Sequence, residues 1–548
     1  RRESIMRKTM AILLSIVLAV STCGCAIPQT GYETSGATQS TGTAGSESSA
    51  TAESASGYSA SSEADVPDEP EVTWNTEEYA ATVEHGFTST ASDPYSTFSA
   101  DVDTASYANL RRMISEGYTA EDIPSGAVRI EEMLNYFDYD YADPSGSDVF
   151  GVTAQIADCP WNPDTKLLVM GLKTRDRDYA ETRGNNLVFL IDTSGSMDSP
   201  DKLGLLKRSF SYLVDNLNPD DTVSIVTYAG SDRVILDGTP ASDRTTILDA
   251  LDDLEADGCT NGGAGLERAY DIAQSHFIEG GNNRIILASD GDLNVGMTSE
   301  SDLSDYVTGK KDTGVYLSVL GFGEGNYKDT KMETLADDGG GNYSYIDCLE
   351  EAEKVFGDDL TSTLVTCADD VKLQVEFNPA YVRGYRQVGY ENRELDTQDF
   401  ADDSVDAGEV GYGHSVTVAY EIICADSSYD PFSATTSKYG NGDATGVENG
   451  EWLTLNVRSK DPGESESKLS EYPIGEKDVT SAPSDDWRFA SAVIEFGMIV
   501  NDSENKGTST TESVLDILDG TNLNDSYRSE FRDLVRRLHA RALAESSA

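Results

Sequence analysis

The chain has 548 residues, which at roughly 150 residues per domain corresponds to several folded units with sizeable cores. Lysine and arginine total 40 against 98 aspartate and glutamate residues, so the formal net charge is −58. Such a charge repels phosphate backbones, and we expect no nucleic-acid partner. Composition and charge do not indicate the function beyond this exclusion, so we look for a particular functional site.

Residues 1–25 are expected to be a targeting segment that takes no part in the fold. After the basic pair Arg7-Lys8, the run from Thr9 to Thr22 carries no charge, and it is shorter than the roughly 20 apolar residues that span a bilayer. The segment ends in a cysteine and resembles a bacterial lipobox. Cys25 is the predicted lipidation site, and Cys23 remains its competitor. The alternative is an ordinary secreted protein that loses both cysteines with its signal peptide.

Residues 26–80 are predicted to be a tether between that anchor and the folded part. Ser, Thr, Gly, Ala and Glu dominate as far as about Asn75, and no basic residue occurs between Lys8 and Arg111. So polar a stretch buries too little apolar surface to offset its conformational entropy. We expect the protein in the cell envelope, lipid-anchored outside the cytoplasmic membrane or in the outer membrane.

Buried strands alternate with amphipathic helices across residues 184–366. Short continuous apolar runs are typical of strands covered on both faces, and apolar residues at helical spacing follow them. Predicted strands are 186–191, 222–228, 233–236, 284–289, 315–322 and 343–346, and predicted helices are 203–217, 245–254, 266–277, 301–307, 330–336 and 350–364. This pattern predicts a doubly wound, mostly parallel α/β domain, in which ligands bind outside the carboxyl ends of the strands.

Polar residues with suitable oxygens lie where those strands end. A D-x-S-x-S turn places Asp192, Ser194 and Ser196 after the first strand, Thr260 lies in the Gly-rich loop 257–263, and Asp290 ends the fourth strand. The set resembles the metal-ion-dependent adhesion site (MIDAS) of the von Willebrand factor type A (VWA) domain. By that resemblance the three hydroxyl residues would coordinate a divalent cation, and the two aspartates would act largely through bound waters and by orienting the hydroxyls.

Oxygen-only ligands suit Mg²⁺ best, with Mn²⁺ or Ca²⁺ as alternatives. A cation held mainly by neutral oxygens keeps positive charge, and an open position would favour a carboxylate from a protein partner. Taken alone, the D-x-S-x-S turn could simply cap the following helix. A calcium loop starting at Asp290 is disfavoured, because its sixth position is Val295 and its twelfth is Ser301.

The resemblance extends into both flanks, 81–183 and 367–548. The segments 98–107, 128–137 and 487–490 resemble a family of bacterial lipoproteins that carry this domain. Apolar residues alternate with period two over 152–156, 371–377, 416–422 and 453–457, as in antiparallel strands with one buried face. The flanks are therefore predicted to form a β-sandwich into which the α/β domain is inserted, with helices at both ends of the folded part. Asp101 and Asp103 are interpreted as acids of a helix start.

No catalytic motif is found, and we expect no enzyme. His85, His276, His414 and His539 lie in unrelated elements, and neither a nucleophile elbow nor a phosphate-binding loop occurs. An adhesion or binding module is favoured, and the competing class is an assembly or scaffolding partner in which metal is structural or dispensable. Five cysteines beyond the leader allow up to two disulfides, with no pairing fixed by the spacing: Cys159, Cys259, Cys348, Cys367 and Cys424.

Overall fold

A computed structural model describes residues 77–80, 83–100, 103–182, 184–257, 262–291, 300–325, 327–432 and 446–546. The predicted leader and nearly all of the predicted tether lie outside these residues, so lipidation at Cys25 or Cys23 stays a prediction. Thr260, Cys259 and Asp101 also lie outside them. Among the described residues, no helix has both the length and the apolar composition needed to cross a bilayer.

The elements fall into three consecutive groups. The first contains β1 (Thr88–Ser89), β2 (Tyr95–Ser99), α1 (Ala105–Glu116), α2 (Ile130–Asn135), β3 (Phe150–Asp158) and β4 (Lys166–Thr174). The second contains β5 (Asn185–Asp192), α3 (Leu203–Asn216), β6 (Thr222–Tyr228), β7 (Asp232–Pro240), α4 (Arg244–Asp252), α5 (Gly262–Ser275), β8 (Asn282–Ser289), α6 (Glu300–Lys311), β9 (Tyr316–Phe322), α7 (Asp329–Asp338), β10 (Tyr343–Ile346), α8 (Leu349–Glu353) and α9 (Leu360–Leu364). The third contains β11 (Thr366–Phe377), β12 (Val382–Val388), β13 (Gly408–Gly411), β14 (Ser415–Cys424), β15 (Glu451–Lys460), β16 (Lys468–Gly475), α10 (Asp485–Val500), α11 (Thr511–Asp519) and α12 (Ser526–Ser546).

The second group forms the predicted doubly wound α/β domain. Its sheet has the order β10-β9-β8-β5-β6-β7, and every pairing except that of β7 with β6 is parallel. Leu206 and Phe210 of α3 pack on one face of the sheet, and Leu266 and Tyr270 of α5 pack on the other. The fold class is confirmed. The helix predicted over 350–364 is divided into α8, a π-helical turn and α9.

The first and third groups together form the β-sandwich. One sheet has the order β1-β12-β14-β4-β3, and the other has the order β13-β11-β15-β16 with β2 paired to β11. Met170 of β4, Tyr420 of β14 and Leu373 of β11 meet in the core between the sheets. Because β3 and β4 precede the α/β domain and their partners follow it, the domain is inserted into the sandwich as predicted.

The outer face of β4 is covered by the terminal helices. The indole nitrogen of Trp487 in α10 donates to the carbonyl of Leu167 at 3.3 Å. Tyr107 of α1, Phe489 of α10 and Phe531 of α12 belong to one buried cluster. Helices from both ends of the folded part therefore share a core, which buries β4 on both faces.

A buried ion-pair network joins the α/β domain to the flanks. The Arg129 guanidinium contacts Asp329 Oδ2 at 2.7 Å and Glu333 Oε2 at 3.5 Å, and it also pairs with Glu132. Asp103 does not cap α1, contrary to the sequence interpretation, because its carboxylate accepts the Tyr343 backbone N–H and the Arg393 guanidinium. Arg393 also contacts Glu333 Oε1 at 3.2 Å, so α7 of the α/β domain is tied to elements from both flanks.

Removing Arg129 is expected to destabilise the protein strongly. In Arg129→Met the buried carboxylates of Glu132 and Asp329 lose their counterion, and breaking a buried ion pair costs about 3–5 kcal/mol. Equilibrium urea unfolding measures the loss, with Arg208→Met, an exposed arginine of α3, as the control. Equal unfolding free energies for the two variants would contradict a stabilising role for the network.

The structure forms no disulfide between the cysteines that it describes. Cys159, Cys348, Cys367 and Cys424 are free thiols. Burial raises the pKa of the Cys159 thiol to about 12, so this thiol is protonated at neutral pH. Cys159 is buried in the core, and Cys348, Cys367 and Cys424 are partly buried.

Candidate metal site

The site lies at the carboxyl edge of the central sheet. Strand β5 pairs with β6 on one side and with β8 on the other, so the strand order reverses beside β5. A crevice forms at such a reversal in open α/β sheets. Asp192 is the last residue of β5, and Asp290 directly follows β8. The topology thus places two carboxylates at this crevice, as the sequence predicted.

The D-x-S-x-S turn presents two hydroxyl groups as a pair. Ser194 begins a short 3₁₀ turn over Gly195–Met197, and the buried side chain of Met197 anchors that turn in the core. The hydroxyl groups of Ser194 and Ser196 are hydrogen-bonded to each other, with their oxygens 2.9 Å apart. Ser194 is buried and Ser196 is exposed, so the pair spans from the protein interior to the surface.

The carboxylate of Asp192 is held by two hydrogen bonds. Its Oδ1 accepts the Ser194 backbone N–H at 2.8 Å, and its Oδ2 accepts the Ser289 hydroxyl at 3.1 Å. Burial raises the pKa of Asp192 to about 6, with the charge of Asp290 adding to the increase and the bonds from Ser194 and Ser289 opposing it. The two hydrogen bonds therefore hold the Asp192 carboxylate in one orientation beside the serine turn.

Asp290 is fully buried and pairs with a lysine. Its Oδ2 lies 2.9 Å from Nζ of Lys202, the residue that precedes α3. The next residue, Gly291, has φ +96°, and a Cβ there would lie 2.5 Å from the backbone nitrogen of Lys328. Only glycine fits this backbone conformation and this close approach. Gly291 therefore fixes the course of the backbone directly after Asp290.

The third predicted element is placed only in part. Thr260 lies outside the described residues. The backbone N–H of Asp257, at the start of the Gly-rich loop, donates to the carbonyl of Thr193 at 2.8 Å. That loop therefore starts beside the D-x-S-x-S turn, and Thr260 as a ligand stays a prediction.

The donor set fits a small hard cation. Hydroxyl and carboxylate oxygens are ligands that Mg²⁺ and Mn²⁺ accept. Two neighbouring ligands on an octahedral Mg²⁺, at 2.0–2.1 Å each, lie about 2.9 Å apart, which equals the separation of the Ser194 and Ser196 oxygens. Tyr228, which ends β6, is buried at this edge, and burial together with the charge of Asp192 raises the pKa of its hydroxyl.

A second group of carboxylates lies away from this site. Oxygens of Asp370, Asp406 and Glu409 lie within 4.8 Å of one another. The Lys311 ammonium lies 2.7 Å from Asp406 and 2.6 Å from Glu409, and Lys460 pairs with Asp370. Because each of these three carboxylates already pairs with one of the two lysines, the cluster is an ion-pair network between α6 and the sandwich.

Sequence reasoning missed three polar residues of the candidate site. The sequence predicts Ser289 and Tyr228 only as the last residues of strands, and Lys202 precedes the helix predicted over 203–217. None of them stands at a motif position, and only the three-dimensional contacts bring them to the two aspartates. Lys202 matters most, since it brings a positive charge to a predicted cation site.

Three family profiles match the chain. The profile described as von Willebrand factor type A domain matches residues 186–358, and the one described as von Willebrand factor matches residues 73–169. The profile described as Uncharacterized protein YfbK, C-terminal, matches residues 362–540. The matched regions follow the three groups of elements in the fold.

Similar proteins include one long match. The chain is 42% identical over 457 residues to the uncharacterized protein YfbK of Escherichia coli (strain K12), which covers 81% of this chain and 78% of that protein. It is 29% identical over 170 residues to a UPF0353 protein of Mycobacterium sp. (strain KMS), which covers 29% of this chain and 50% of that protein.

Similar solved structures include two with low TM-scores. The von Willebrand factor type A protein from Catenulispora acidiphila has 18% identity and a TM-score of 0.39, covering 70% of this chain and 88% of its own. Proximal thread matrix protein 1 from the mussel byssus, solved with a zinc-occupied MIDAS motif, has 21% identity and a TM-score of 0.28, covering 34% of this chain and 46% of its own.

Proposed function

This chain belongs to the YfbK family of proteins with a von Willebrand factor type A domain, and from that premise we propose that it is a tethered, non-catalytic binding module. It holds a protein ligand through a divalent cation, with Mg²⁺ favoured, at Asp192, Ser194, Ser196, Thr260 and Asp290. The observation that carries the proposal is the pair of hydroxyl oxygens 2.9 Å apart beside two buried carboxylates.

Each described residue has a distinct task in this proposal. Ser194 and Ser196 supply neutral oxygens, so little of the cation's charge would be cancelled by the ligands themselves. The two hydrogen bonds on Asp192 keep its carboxylate oriented toward the serine turn. A bound divalent cation supplies a Lewis-acidic centre with a position left for an outside oxygen. A carboxylate of the partner is the group that fits this position best.

One observation favours a second candidate function. The ammonium of Lys202 already neutralises the Asp290 carboxylate, so the charges at the strand ends are partly balanced without a divalent cation. A scaffolding or assembly partner whose contacts do not need metal is consistent with such a balance. The test has to separate metal-dependent from metal-independent capture.

Capture from envelope extract separates the two candidates. The immobilised chain is incubated with extract in the presence of Mg²⁺ or of a chelator, beside Ser194→Ala/Ser196→Ala. Metal-dependent binding predicts a partner that is retained with Mg²⁺, released by the chelator and absent from the variant. A partner retained in all three conditions supports scaffolding.

We also propose envelope anchoring through acylated Cys25. The expected result is a membrane-extracted N-terminal peptide whose intact mass contains diacylglycerol. Cys25→Ser is expected to release the protein from membranes, whereas Cys23→Ser leaves it bound. The reverse pattern would assign the anchor to Cys23, and an unmodified mature N-terminus on protein released to the medium would exclude an anchor.

A further inference from the structure

Lys202 occupies a position that local structure does not explain. It is the N-cap residue of α3, and its side chain makes no capping hydrogen bond. Ser, Thr, Asp and Asn are preferred there, because their oxygens accept orphan amide hydrogens. The positive end of the helix dipole also disfavours a cation at this end. A compensating interaction must therefore hold the ammonium where it lies.

That interaction is a buried ion pair with Asp290. The Nζ–Oδ2 distance is 2.9 Å, and the side chains of Lys202 and Asp290 are 11% and 0% exposed. The aliphatic part of Lys202 packs over Gly323, where a Cβ would come within 2.3 Å of Cγ and 2.4 Å of Cε. Because Gly323 has no side chain, it leaves room for the aliphatic part of Lys202. The ammonium group then lies at the predicted cation site.

We infer that Lys202 is an internal counter-cation of the metal site, which neutralises Asp290 in the absence of a divalent cation and weakens the binding of that cation. This inference rests on the proposed metal-dependent function. Asp290 is fully buried, and an unpaired buried carboxylate is costly, so the ammonium keeps the metal-free protein stable. When a divalent cation binds nearby, the same ammonium repels it.

The consequence is a site whose occupancy depends on the divalent cation concentration. Two states share one carboxylate: in one Asp290 pairs with the ammonium, and in the other it also faces the cation. Because the lysine supports the first state and opposes the second, it lowers the affinity for cation without being a ligand. Lys202 is in this sense a positioning and charge-setting residue.

The matched variants are Lys202→Met and Lys207→Met in the full chain. Lys202 directly precedes α3 and Lys207 lies within it, and each substitution lowers the net charge by one. The ammonium of Lys207 donates to the carbonyl of Asp252 and does not contact Asp290. Methionine keeps the stem that packs over Gly323. Lys202→Arg retains the positive charge, so its affinity is expected to stay close to that of the wild type.

Mn²⁺ and Mg²⁺ titrations at fixed ionic strength give the first readout. Removing a unit charge next to a divalent cation is expected to tighten binding by about tenfold or more in Lys202→Met, with no comparable change in Lys207→Met. Thermal unfolding gives the second readout. Without divalent cation, Lys202→Met is expected to melt below the wild type, and Mg²⁺ is expected to raise its midpoint more than it raises that of the wild type.

Each outcome decides the inference. Affinity in Lys202→Met equal to that in Lys207→Met, or weaker than in the wild type, overturns it. If only Lys202→Met binds metal, the lysine inference stands and the proposed metal-dependent function fails; if no variant binds, both fail. If Lys202→Met is unfolded without divalent cation, restoration of the fold by Mg²⁺ supports the inference, and failure to restore it overturns it.

Discussion

The double variant Ser194→Ala/Ser196→Ala is expected to lose divalent cation binding entirely. It removes the two hydroxyl oxygens whose 2.9 Å separation fits neighbouring ligands of Mg²⁺. The backbone N–H of residue 194 remains, so the bond that orients Asp192 is retained and the domain is expected to fold. Titration calorimetry with Mg²⁺ and Mn²⁺ measures the loss.

Thermal unfolding provides an independent readout of the same variant. A cation that binds only the native state stabilises it by about 2.7 kcal/mol at a concentration of 100 times Kd, so the wild type is expected to melt higher with metal and the double variant is not. Ser199→Ala is the control, because this hydroxyl lies in the same loop and makes no hydrogen bond. Wild-type affinity in the double variant would place the cation elsewhere.

The sequence predicted the parts of the site that depend on strand order. Continuous apolar runs identified β5 and β8, and a parallel sheet brings the carboxyl ends of its strands to one edge. Asp192 and Asp290 meet there for that reason. The serine turn could be predicted as well, because Ser194 and Ser196 closely follow Asp192, the last residue of β5.

The missed features depend on long-range contacts. Strand β4 shows no alternation, because Trp487 and the helix α10 that carries it cover its outer face. Lys202 is an unfavourable residue for a helix start, but nothing local indicates its pairing with Asp290, 88 positions later in the chain. Asp103 resembles a capping acid by position, yet Arg393, nearly 300 residues downstream, takes its carboxylate.

The net charge of −58 affects how an acidic partner would approach the site. Repulsion between the whole protein and such a partner acts at long range, whereas the contact with the cation is local. Charges are screened over about 8 Å at physiological ionic strength. Added salt is therefore expected to strengthen binding of an acidic ligand, because it weakens the repulsion more than the metal contact. A cationic ligand would show the opposite dependence.

Asp290→Ala is expected to abolish capture of the partner while the α/β domain stays folded. Asp290 is the buried carboxylate on the β8 side of the site, and without it the ammonium of Lys202 loses the carboxylate with which it pairs. That unpaired charge destabilises the variant and repels a divalent cation. The double variant Asp290→Ala/Lys202→Met removes the stranded charge, and it separates loss of the carboxylate from loss of stability.

Asp198→Ala is the matched control, since this exposed carboxylate lies in the same loop as the serine turn. Circular dichroism and thermal unfolding establish that each variant is folded before capture is measured. Metal-dependent binding predicts no capture by Asp290→Ala or by the double variant, and normal capture by the control. Because a scaffolding surface does not use the strand ends, capture that survives both Asp290→Ala and a chelator would assign the partner to a different face of the molecule.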